Sequence, residues 1–251
     1  GLNYRSCDFN QGIGIYHSWD LSARTGIGTS SSFSVGLINA LSNLNNKPFD
    51  KHQLALKAIE LEQKILNETV GSQDQIAASY GGFNKIVFNT DGNIIVNKIN
   101  IDHKTINLLN SNISLYYSGT RIGRNSSEVV SDMLINIDSK YELFKELGSY
   151  VDIGINLLTK NDFIEFGKLL HESWKIKKSL GSKITNSEID AIYDIGIKNG
   201  AYGGKILGAG GAGFIMFIIP EEKKEKLKQK LTNCVEVSFK FENLGSIITT
   251  K

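Results

Sequence analysis

Two glycines and a run of hydroxyl side chains precede an apolar helical pattern early in the chain. Residues 26–41 read GIGTSSSFSVGLINAL. Glycine lets another group approach the backbone closely, and free N–H groups at the positive end of a helix suit a phosphate chain. Ser and Thr also cap helices by accepting bonds from such N–H groups. The segment matches neither GxxxxGK[ST] nor GxGxxG, so a phosphate-binding turn and an ordinary helix cap both stay open.

Two carboxylates follow at positions where an acid is either costly or useful. Glu62 lies four residues from Ala58 and from Leu66, so a helix here places its carboxylate on the apolar face. A buried carboxylate requires a cation, whereas one at the edge of the face reaches solvent, and both interpretations stay open. Asp74 falls inside the S-x-x-Q pattern of residues 72–75, which predicts a capping box, and an acid in a first helical turn is common for structural reasons alone.

A third stretch combines glycines with the start of an apolar run. Residues 203–214 read GGKILGAGGAGF and lead directly into GFIMFII at 213–219. Glycine loses more backbone entropy on folding than other residues, so a glycine-rich segment indicates that some group approaches the backbone closely. A flexible linker is the alternative, but a linker would not run straight into a buried strand. The pattern therefore favours a functional loop.

Apolar periodicity predicts the elements that must position these groups. The predicted strands cover 12–19, 112–120, 213–219 and 235–241, and Asp91–Gly92 marks the turn of a hairpin over 85–99. The predicted helices cover 31–44, 50–66, 126–158, 162–180, 186–199 and 221–232. The first of these should bury one side, formed by Phe33, Leu37, Ile38, Leu41 and Leu44. A break near 100–110 separates two clusters of elements, which predicts an α+β chain of two domains.

The composition excludes several classes of protein. The 251 residues carry a formal net charge of +2 from 28 basic and 26 acidic side chains, so no surface for nucleic acid or an anionic membrane is predicted. Cys7 and Cys234 fit neither a disulfide framework nor a metal cluster, and they favour a reducing, cytoplasmic location. The sequence has no run of about 18 apolar residues, so no membrane span is predicted.

The three stretches, in this order and spacing, closely resemble the motifs of the GHMP family of small-molecule kinases. Residues 26–32 are similar to the motif form GLGSSS, and residues 205–214 to KLLGAGGGGF. SARTGIGTSSSF, VGSQDQIAASYGGFN and LHESWKIKKSL look most like the sugar-phosphate kinases of that family. The resemblance implies an ATP-binding N-terminal domain of the ribosomal protein S5 domain 2-like type over residues 1–105. A ferredoxin-like C-terminal domain is expected over residues 106–251.

The resemblance also implies a reaction, its cofactors and its partners. ATP with Mg²⁺ would give its γ-phosphoryl group to a hydroxyl of a sugar or sugar phosphate, and the anomeric hydroxyl of a heptose 7-phosphate is the expected acceptor. Phosphoryl transfer depends on positioning and charge neutralisation more than on covalent catalysis, so amides, a metal ion and one carboxylate suffice. The expected partners are ATP and the sugar, without nucleic acid or membrane, and a homodimer is a further expectation.

Site residues follow from the resemblance position by position. Asp74 would take or orient the hydroxyl proton, and Ser30 with Glu62 would hold Mg²⁺. The ATP phosphates would be wrapped by Gly26, Ile27, Gly28, Thr29, Ser30, Ser31 and Ser32. The sugar and the transferred phosphate would be bound by Tyr80, Gly81, Gly82, Gly208, Ala209, Gly210 and Gly211. The cationic anchor for a sugar phosphate is expected from Arg121, Lys177 or Lys178.

One motif of the family is missing from this sequence. The basic residue and GGGTD-like segment of the first motif are absent, and the chain starts with GLNYRSCDFN rather than methionine, which we interpret as an N-terminal truncation. A noncatalytic nucleotide- and sugar-binding module, or an inactive kinase fragment, is therefore an alternative to an active kinase. A kinase of another sugar such as fucose is a second alternative.

Overall fold

The computed structural model describes residues 12–20, 26–119 and 126–249, and within these ranges the chain forms two compact units. The first unit is formed mainly by Gly28–Gly82 together with the segment that starts at Glu242. The second is formed by Phe83–Phe241 together with a short segment that includes Gly26 and Ile27. The domain boundary predicted after residue 105 concerns the family domains and stays a prediction.

The described helices of the first unit pack around a small apolar core. They are α1 (Thr29–Leu44), α2 (Lys51–Glu60), a π-helical turn (Leu61–Ile65) that continues α2, and α3 (Gln73–Tyr80). Asp50 and Gln53 form the capping box at the start of α2, as the sequence predicts. The core residues are Val35, Ile38, Leu54, Ala58 and Leu61. Every described strand belongs to the second unit. The described residues of the first unit therefore do not test the ribosomal-protein-like sheet expected for the N-terminal domain, and that sheet stays a prediction.

Two predictions for the first unit are wrong. Residues 12–19 form no strand, and their apolar side chains are exposed; Tyr16, for example, is fully accessible. Alternation of apolar residues specifies a strand only where another strand pairs with it. The buried side of α1 is also different from the expected one, because Phe33 and Leu44 are exposed and four polar residues are buried instead. These are Ser31, Ser34, Asn39 and Ser42.

The second unit begins with the predicted hairpin. Strands β1 (Asn84–Phe88) and β2 (Ile94–Lys98) pair in antiparallel fashion, with Phe88 opposite Ile94 on either side of the Asp91–Gly92 turn. Helix α4 (His103–Ser111) follows, where the sequence indicated only a break. The remaining described helices of this unit are α5 (Ser126–Leu134), α6 (Tyr141–Thr159), α7 (Phe163–Ser179), α8 (Ser187–Lys198) and α9 (Glu221–Lys230).

A four-stranded antiparallel sheet organises the second unit. Its strands are β3 (Ile113–Tyr117), β4 (Gly203–Ile206), β5 (Phe214–Ile218) and β6 (Val235–Glu236), in the spatial order β4-β5-β3-β6. Helices α5–α8 lie between β3 and β4, and α9 lies between β5 and β6, which is the β-α-β-β-α-β order of a ferredoxin-like layer. The predicted α+β fold class is confirmed.

Both faces of this sheet are covered. One face packs on α8 and α9 through a cluster that includes Phe217, Ile206 and Leu227. The opposite face contacts α4 and α7 through Leu109, Phe163 and neighbouring side chains. The sheet is therefore an interior layer of the second unit.

Two predicted elements of the second unit have clearly different bounds, and one strand is not predicted. The helix predicted over 126–158 is broken: α5 ends at Leu134, and a 3₁₀ helix (Ile137–Lys140) precedes α6, with Asn136 in the left-handed region. The strand predicted over 235–241 is limited to β6. Strand β4 was missed, because the glycines of 203–214 were assigned wholly to a loop. Among the described residues no helix combines the length and apolar character needed to cross a bilayer.

Candidate active site

The hydroxyl-rich segment forms the first turn of α1. The residue before the helix is Gly28, whose φ of +74° lies in the left-handed region that favours glycine. No side chain of the described ranges caps this helix, and the first intrahelical bond runs from the Ser32 N–H to the Gly28 carbonyl at 2.9 Å. The helix-cap interpretation of these hydroxyls is therefore wrong. The N–H groups in the first turn of this 16-residue helix, which no described side chain caps, suit an anion.

The side chain of Asp74 lies against Gly28, at the start of α1. A Cβ built on Gly28 would lie 3.3 Å from Oδ2 of Asp74 and 3.4 Å from its Cβ. The first contact is tighter than nine in ten real Cβ contacts, so a side chain at residue 28 would require Asp74 to move by a few tenths of an ångström. The sequence motif and the carboxylate predicted to act as base are thus neighbours within the first unit.

Glu62 lies in the π-helical turn after α2 with only 1% of its surface exposed. Its Oε2 accepts two hydrogen bonds, from Ser31 Oγ at 3.0 Å and from Gln75 Nε2 at 2.5 Å. Its Oε1 is buried and has no hydrogen-bond partner in the described ranges. The interpretation that Glu62 reaches solvent is wrong. Ser30, which was expected to share the metal with Glu62, is exposed, and the hydroxyl that contacts Glu62 belongs to Ser31.

The environment of Glu62 fits a divalent cation. A buried carboxylate oxygen without a donor is costly, and a hard cation such as Mg²⁺ takes oxygen ligands. No set of three or more His, Cys, Asp or Glu side chains that could hold a metal occurs in the described residues. Mg²⁺ typically binds through one or two carboxylates and completes its coordination with waters and substrate phosphates. One carboxylate beside the start of a helix therefore suits Mg²⁺ bound together with a phosphate chain.

Asp74 has a raised pKa. The main cause is the protein that encloses its carboxyl group, although the residue as a whole is exposed, and the negative charge of Glu62 contributes second. Both causes disfavour the ionised form. A cation bound at Glu62 would offset the second cause.

The capping box predicted for residues 72–75 is wrong. Ser72 occupies the residue before α3 but makes no capping bond, and its Oγ accepts from Gln63 Nε2 at 3.1 Å. Gln75 turns inward to Glu62 instead of back to the helix start. A charge-assisted bond to a buried carboxylate is stronger than a neutral capping bond, so the long-range contact wins over the local one. We call Ser31, Glu62, Asp74 and Gln75 the carboxylate cluster.

In the second unit, residues 207–213 connect β4 to β5, and we call them the glycine loop. The Leu207 N–H donates to the Phe214 carbonyl at 2.8 Å, and the Gly211 N–H donates to the Ile184 carbonyl at 2.8 Å. At Gly208, where φ is +62°, an added Cβ would lie 2.3 Å from the carbonyl oxygen of Gly26. The glycines therefore permit close backbone packing, and the flexible-linker interpretation is wrong.

The expected anchors for a sugar phosphate have different outcomes. Lys177 at the end of α7 donates from Nζ to the Gly208 carbonyl at 2.6 Å, so its ammonium fixes the glycine loop. Arg121 lies outside the described residues. Lys205 on β4 is a cation that sequence reasoning did not single out, and burial lowers its pKa.

The segment expected to bind the sugar follows α3. Tyr80 Oη lies 3.2 Å from His52 Nδ1, and the Tyr80 carbonyl accepts from Lys51 Nζ at 2.8 Å. The Gly82 N–H donates to the Glu242 carbonyl at 2.7 Å, and the backbone of Gly245 passes close to Gly81. These contacts give Tyr80, Gly81 and Gly82 a structural role within the first unit, and their role in binding a sugar stays a prediction.

Comparison with known families gives two matches that together cover most of the chain. The family described as GHMP kinases N terminal domain matches residues 2–82, and the family described as GHMP kinases C terminal matches residues 155–236. The chain belongs to the GHMP kinases. The N-terminal match contains the whole carboxylate cluster, and the C-terminal match contains the glycine loop.

Individual GHMP kinases resemble the chain over most of its length. It is 32% identical over 215 residues to D-glycero-alpha-D-manno-heptose 7-phosphate kinase of Campylobacter jejuni, covering 84% of this chain and 62% of that protein. It is 28% identical to mevalonate kinase of Methanocaldococcus jannaschii, covering 92% of this chain and 69% of the relative. The crystal structure of a D-glycero-D-manno-heptose 1-phosphate kinase from Bacteroides thetaiotaomicron matches with a TM-score of 0.69 and 28% identity, over 90% of this chain and 64% of that one. The chain thus spans about two thirds of the length of these GHMP kinases.

Sequence reasoning did not connect Glu62 with either of its two donors. The assignment of Ser31 to ATP binding stays a prediction, and the assignment of Gln75 to a capping box is wrong. The signal for Gln75 was its place beside Ile76 and one turn before Ser79, because these three form the buried face of α3. A glutamine on a buried face requires a polar partner, and Glu62 was the one other polar residue predicted on an apolar face.

Proposed function

We propose that this GHMP kinase transfers the γ-phosphoryl group of ATP to the anomeric hydroxyl of D-glycero-D-manno-heptose 7-phosphate. The observation that supports the proposal most directly is the buried Glu62, whose Oε1 has no donor among the described residues. It lies beside a helix start that no described side chain caps. Phosphoryl transfer requires a cation site, donors for phosphate oxygens and one base. The heptose acceptor is taken from the name of the Campylobacter relative.

The start of α1 would hold the phosphate chain. The N–H groups of Thr29, Ser30 and Ser31 lie in the first turn, where the helix dipole favours negative charge. The hydroxyls of Thr29 and Ser30 add donors, whereas that of Ser31 donates to Glu62. The left-handed Gly28 lets a phosphate approach the backbone. These donors are fixed by the helix before substrate binds, so little reorganisation is required during the reaction.

Glu62 would hold Mg²⁺ through Oε1, together with a hydroxyl of the first turn of α1. The family resemblance assigns that hydroxyl to Ser30, whereas the bond to Glu62 supports Ser31. When bound, Mg²⁺ neutralises charge on the phosphate oxygens and thereby eases attack on phosphorus.

Asp74 would act as the general base. In the proposed reaction the sugar hydroxyl oxygen forms a bond to the γ-phosphorus, the bond from that phosphorus to the bridging oxygen of ADP breaks, and the hydroxyl proton passes to Asp74. Its raised pKa makes it a better proton acceptor than an ordinary aspartate, provided that it is ionised at the working pH.

The contribution of the remaining predicted residues is proposed from the resemblance alone. Tyr80, Gly81 and Gly82 would shape the sugar pocket, and Gly208, Ala209, Gly210 and Gly211 would contact the transferred phosphate. Lys177 would act chiefly by holding Gly208, since its Nζ already donates to that carbonyl. Arg121 stays the predicted anchor for the sugar phosphate. A cytoplasmic location and a homodimer also stay predictions.

The test is ADP release by the chain with Mg·ATP and a panel of acceptors: heptose 7-phosphate, heptose 1-phosphate, mevalonate, fucose and galactose. The proposal predicts turnover with heptose 7-phosphate well above that with every other acceptor. Asp74→Asn serves as the control for contaminating kinases, because it should abolish the signal. Turnover confined to another acceptor would overturn the assigned sugar. ATP binding without turnover on any acceptor would support the noncatalytic module instead.

A further inference from the structure

Gln75 is a buried polar residue to which the proposed reaction gives no role. Its side chain is completely buried on the first turn of α3, directly after Asp74. Its Nε2 donates to Glu62 Oε2 at 2.5 Å, across 13 residues of sequence. An ionised carboxylate only accepts, so the amide nitrogen must face Glu62 and the amide oxygen must face away.

The amide oxygen of Gln75 makes no compensating bond. Oε1 of Gln75 is buried and has no hydrogen-bond partner within the described ranges. A buried acceptor in that condition is costly, and an apolar side chain of similar length would avoid the cost. Packing alone therefore gives no reason for glutamine here, and its bond to Glu62 is the gain that the structure shows.

The two donors act on the same oxygen of Glu62. Ser31 Oγ approaches Oε2 from α1, and Gln75 Nε2 approaches it from α3, while Oε1 receives no donor from the described residues. Both donors therefore fix the plane of the carboxylate and leave the lone pairs of one oxygen for a cation. A ligand oriented in this way binds metal more tightly than one free to rotate.

We propose that Gln75 is a positioning residue, which orients Glu62 for the metal and links it through one peptide bond to Asp74. The proposal rests on the proposed function, because it requires a cation at Glu62. Gln75 acts through Glu62 and contacts neither phosphate nor sugar. Loss of an outer partner of a metal ligand typically weakens metal binding by about 10- to 100-fold.

The test measures binding of Mn²⁺ by the whole chain saturated with ADP, using the electron paramagnetic resonance signal of free Mn²⁺. Gln75→Met removes the bond to Glu62 while keeping similar length. We expect its Mn²⁺ dissociation constant to rise about 10- to 100-fold. Its melting temperature should stay close to that of the parent, because losing the bond to Glu62 and removing the unpartnered amide oxygen have opposite effects on stability.

Ser79→Ala is the matched control. Ser79 lies one turn further along the same buried face, and its Oγ is also without a partner in the described ranges, but it does not contact Glu62. This variant should bind Mn²⁺ as the parent does. Equal Mn²⁺ affinity in Gln75→Met and Ser79→Ala would overturn the role of Gln75.

Glu62→Gln separates this proposal from the one on which it rests. If Glu62→Gln loses Mn²⁺ binding and Gln75→Met keeps it, only the role of Gln75 is overturned. If Glu62→Gln binds Mn²⁺ as the parent does, the assignment of Glu62 as a metal ligand is wrong, and the proposed role of Gln75 is overturned as well.

Discussion

The carboxylate cluster and the glycine loop differ in whether their polar groups have hydrogen-bond partners. In the cluster, Glu62 and Gln75 each keep a buried oxygen that has no donor among the described residues. In the loop, backbone groups of Leu207, Gly208 and Gly211 are all bonded within the second unit. An unpaired buried group indicates where a ligand completes the structure, whereas a loop held by several backbone bonds indicates a shape that exists before the ligand arrives.

The largest effect is expected from Asp74→Asn, which removes the base. Turnover should fall by about 10²- to 10⁴-fold while ATP affinity stays close to that of the parent. In the parent, the folded pKa of Asp74 is raised, so activity should be lost as pH falls through a value above that of an ordinary aspartate. Rates of ADP release across pH, with nucleotide affinity measured alongside, check both statements.

The same substitution predicts a stability change of defined sign. Because the folded pKa of Asp74 lies above its unfolded value, folding favours the protonated form, and stability decreases as pH rises through the folded pKa. The neutral Asn variant should therefore melt at or above the temperature of the parent at neutral pH. A variant that lost turnover and melted far lower would show damage to the fold rather than loss of a base.

The second effect compares one glycine from each region. Gly28→Ala and Gly208→Ala both place alanine at a positive φ, so they share a backbone cost of about 1–2 kcal/mol. At Gly28 the new Cβ meets the Asp74 side chain at 3.3 Å, but at Gly208 it meets the Gly26 carbonyl at 2.3 Å. Gly208→Ala should therefore lose more free energy of unfolding in urea titrations, whereas Gly28→Ala should lose turnover out of proportion to stability. Equal stability losses would contradict the comparison.

A third prediction concerns which hydroxyl, that of Ser30 or that of Ser31, binds the cation. Ser31→Ala removes a donor to Glu62, and Ser30→Ala changes an exposed residue of the same helical turn. If Ser31, which donates to Glu62, also contacts the metal, Ser31→Ala should raise the Mg²⁺ concentration needed for half-maximal activity by about 10-fold. Ser30→Ala should then have the smaller effect. The reverse order would favour the assignment carried by the family motif.

The smallest effect is expected from Lys177→Met. This substitution keeps most of the aliphatic side chain and removes the donor to the Gly208 carbonyl. Because the bond is exposed, its loss should cost about 0.5–1.5 kcal/mol of stability at most. We expect the KM for the phosphorylated acceptor to change only a few-fold with kcat nearly constant. A loss of kcat as large as that of Asp74→Asn would show that Lys177 acts in the chemical step.

Features set by neighbours in sequence were predictable. The Asp91–Gly92 hairpin and the helix starts at Asp50, Asp162 and Asn186 depend on local turn and capping chemistry, and the structure confirms them. Predictions from neighbouring residues were wrong where the outcome depends on residues distant in sequence. Gln75 satisfies the pattern of a cap but bonds to Glu62, and the apolar alternation of 12–19 forms no strand.

In the candidate site, too, the contiguous motifs were predictable and the contacts between helices were not. Glycine and hydroxyl spacing identified the start of α1 and the glycine loop, because those motifs are contiguous. The two donors on one oxygen of Glu62 come from α1 and α3, so only the tertiary structure brings them together. Periodicity placed Glu62 on an apolar face but could not choose between a cation and solvent, because that choice depends on which helices cover it.

The most direct test of the account is calorimetric titration of ATP into the chain with and without Mg²⁺, for the parent and for Glu62→Gln. The account predicts that Mg²⁺ strengthens ATP binding by the parent about 10-fold or more, and that Glu62→Gln removes this gain while it keeps the affinity for metal-free ATP. Equal strengthening by Mg²⁺ in both proteins would contradict the central claim that Glu62 is a protein ligand of the metal.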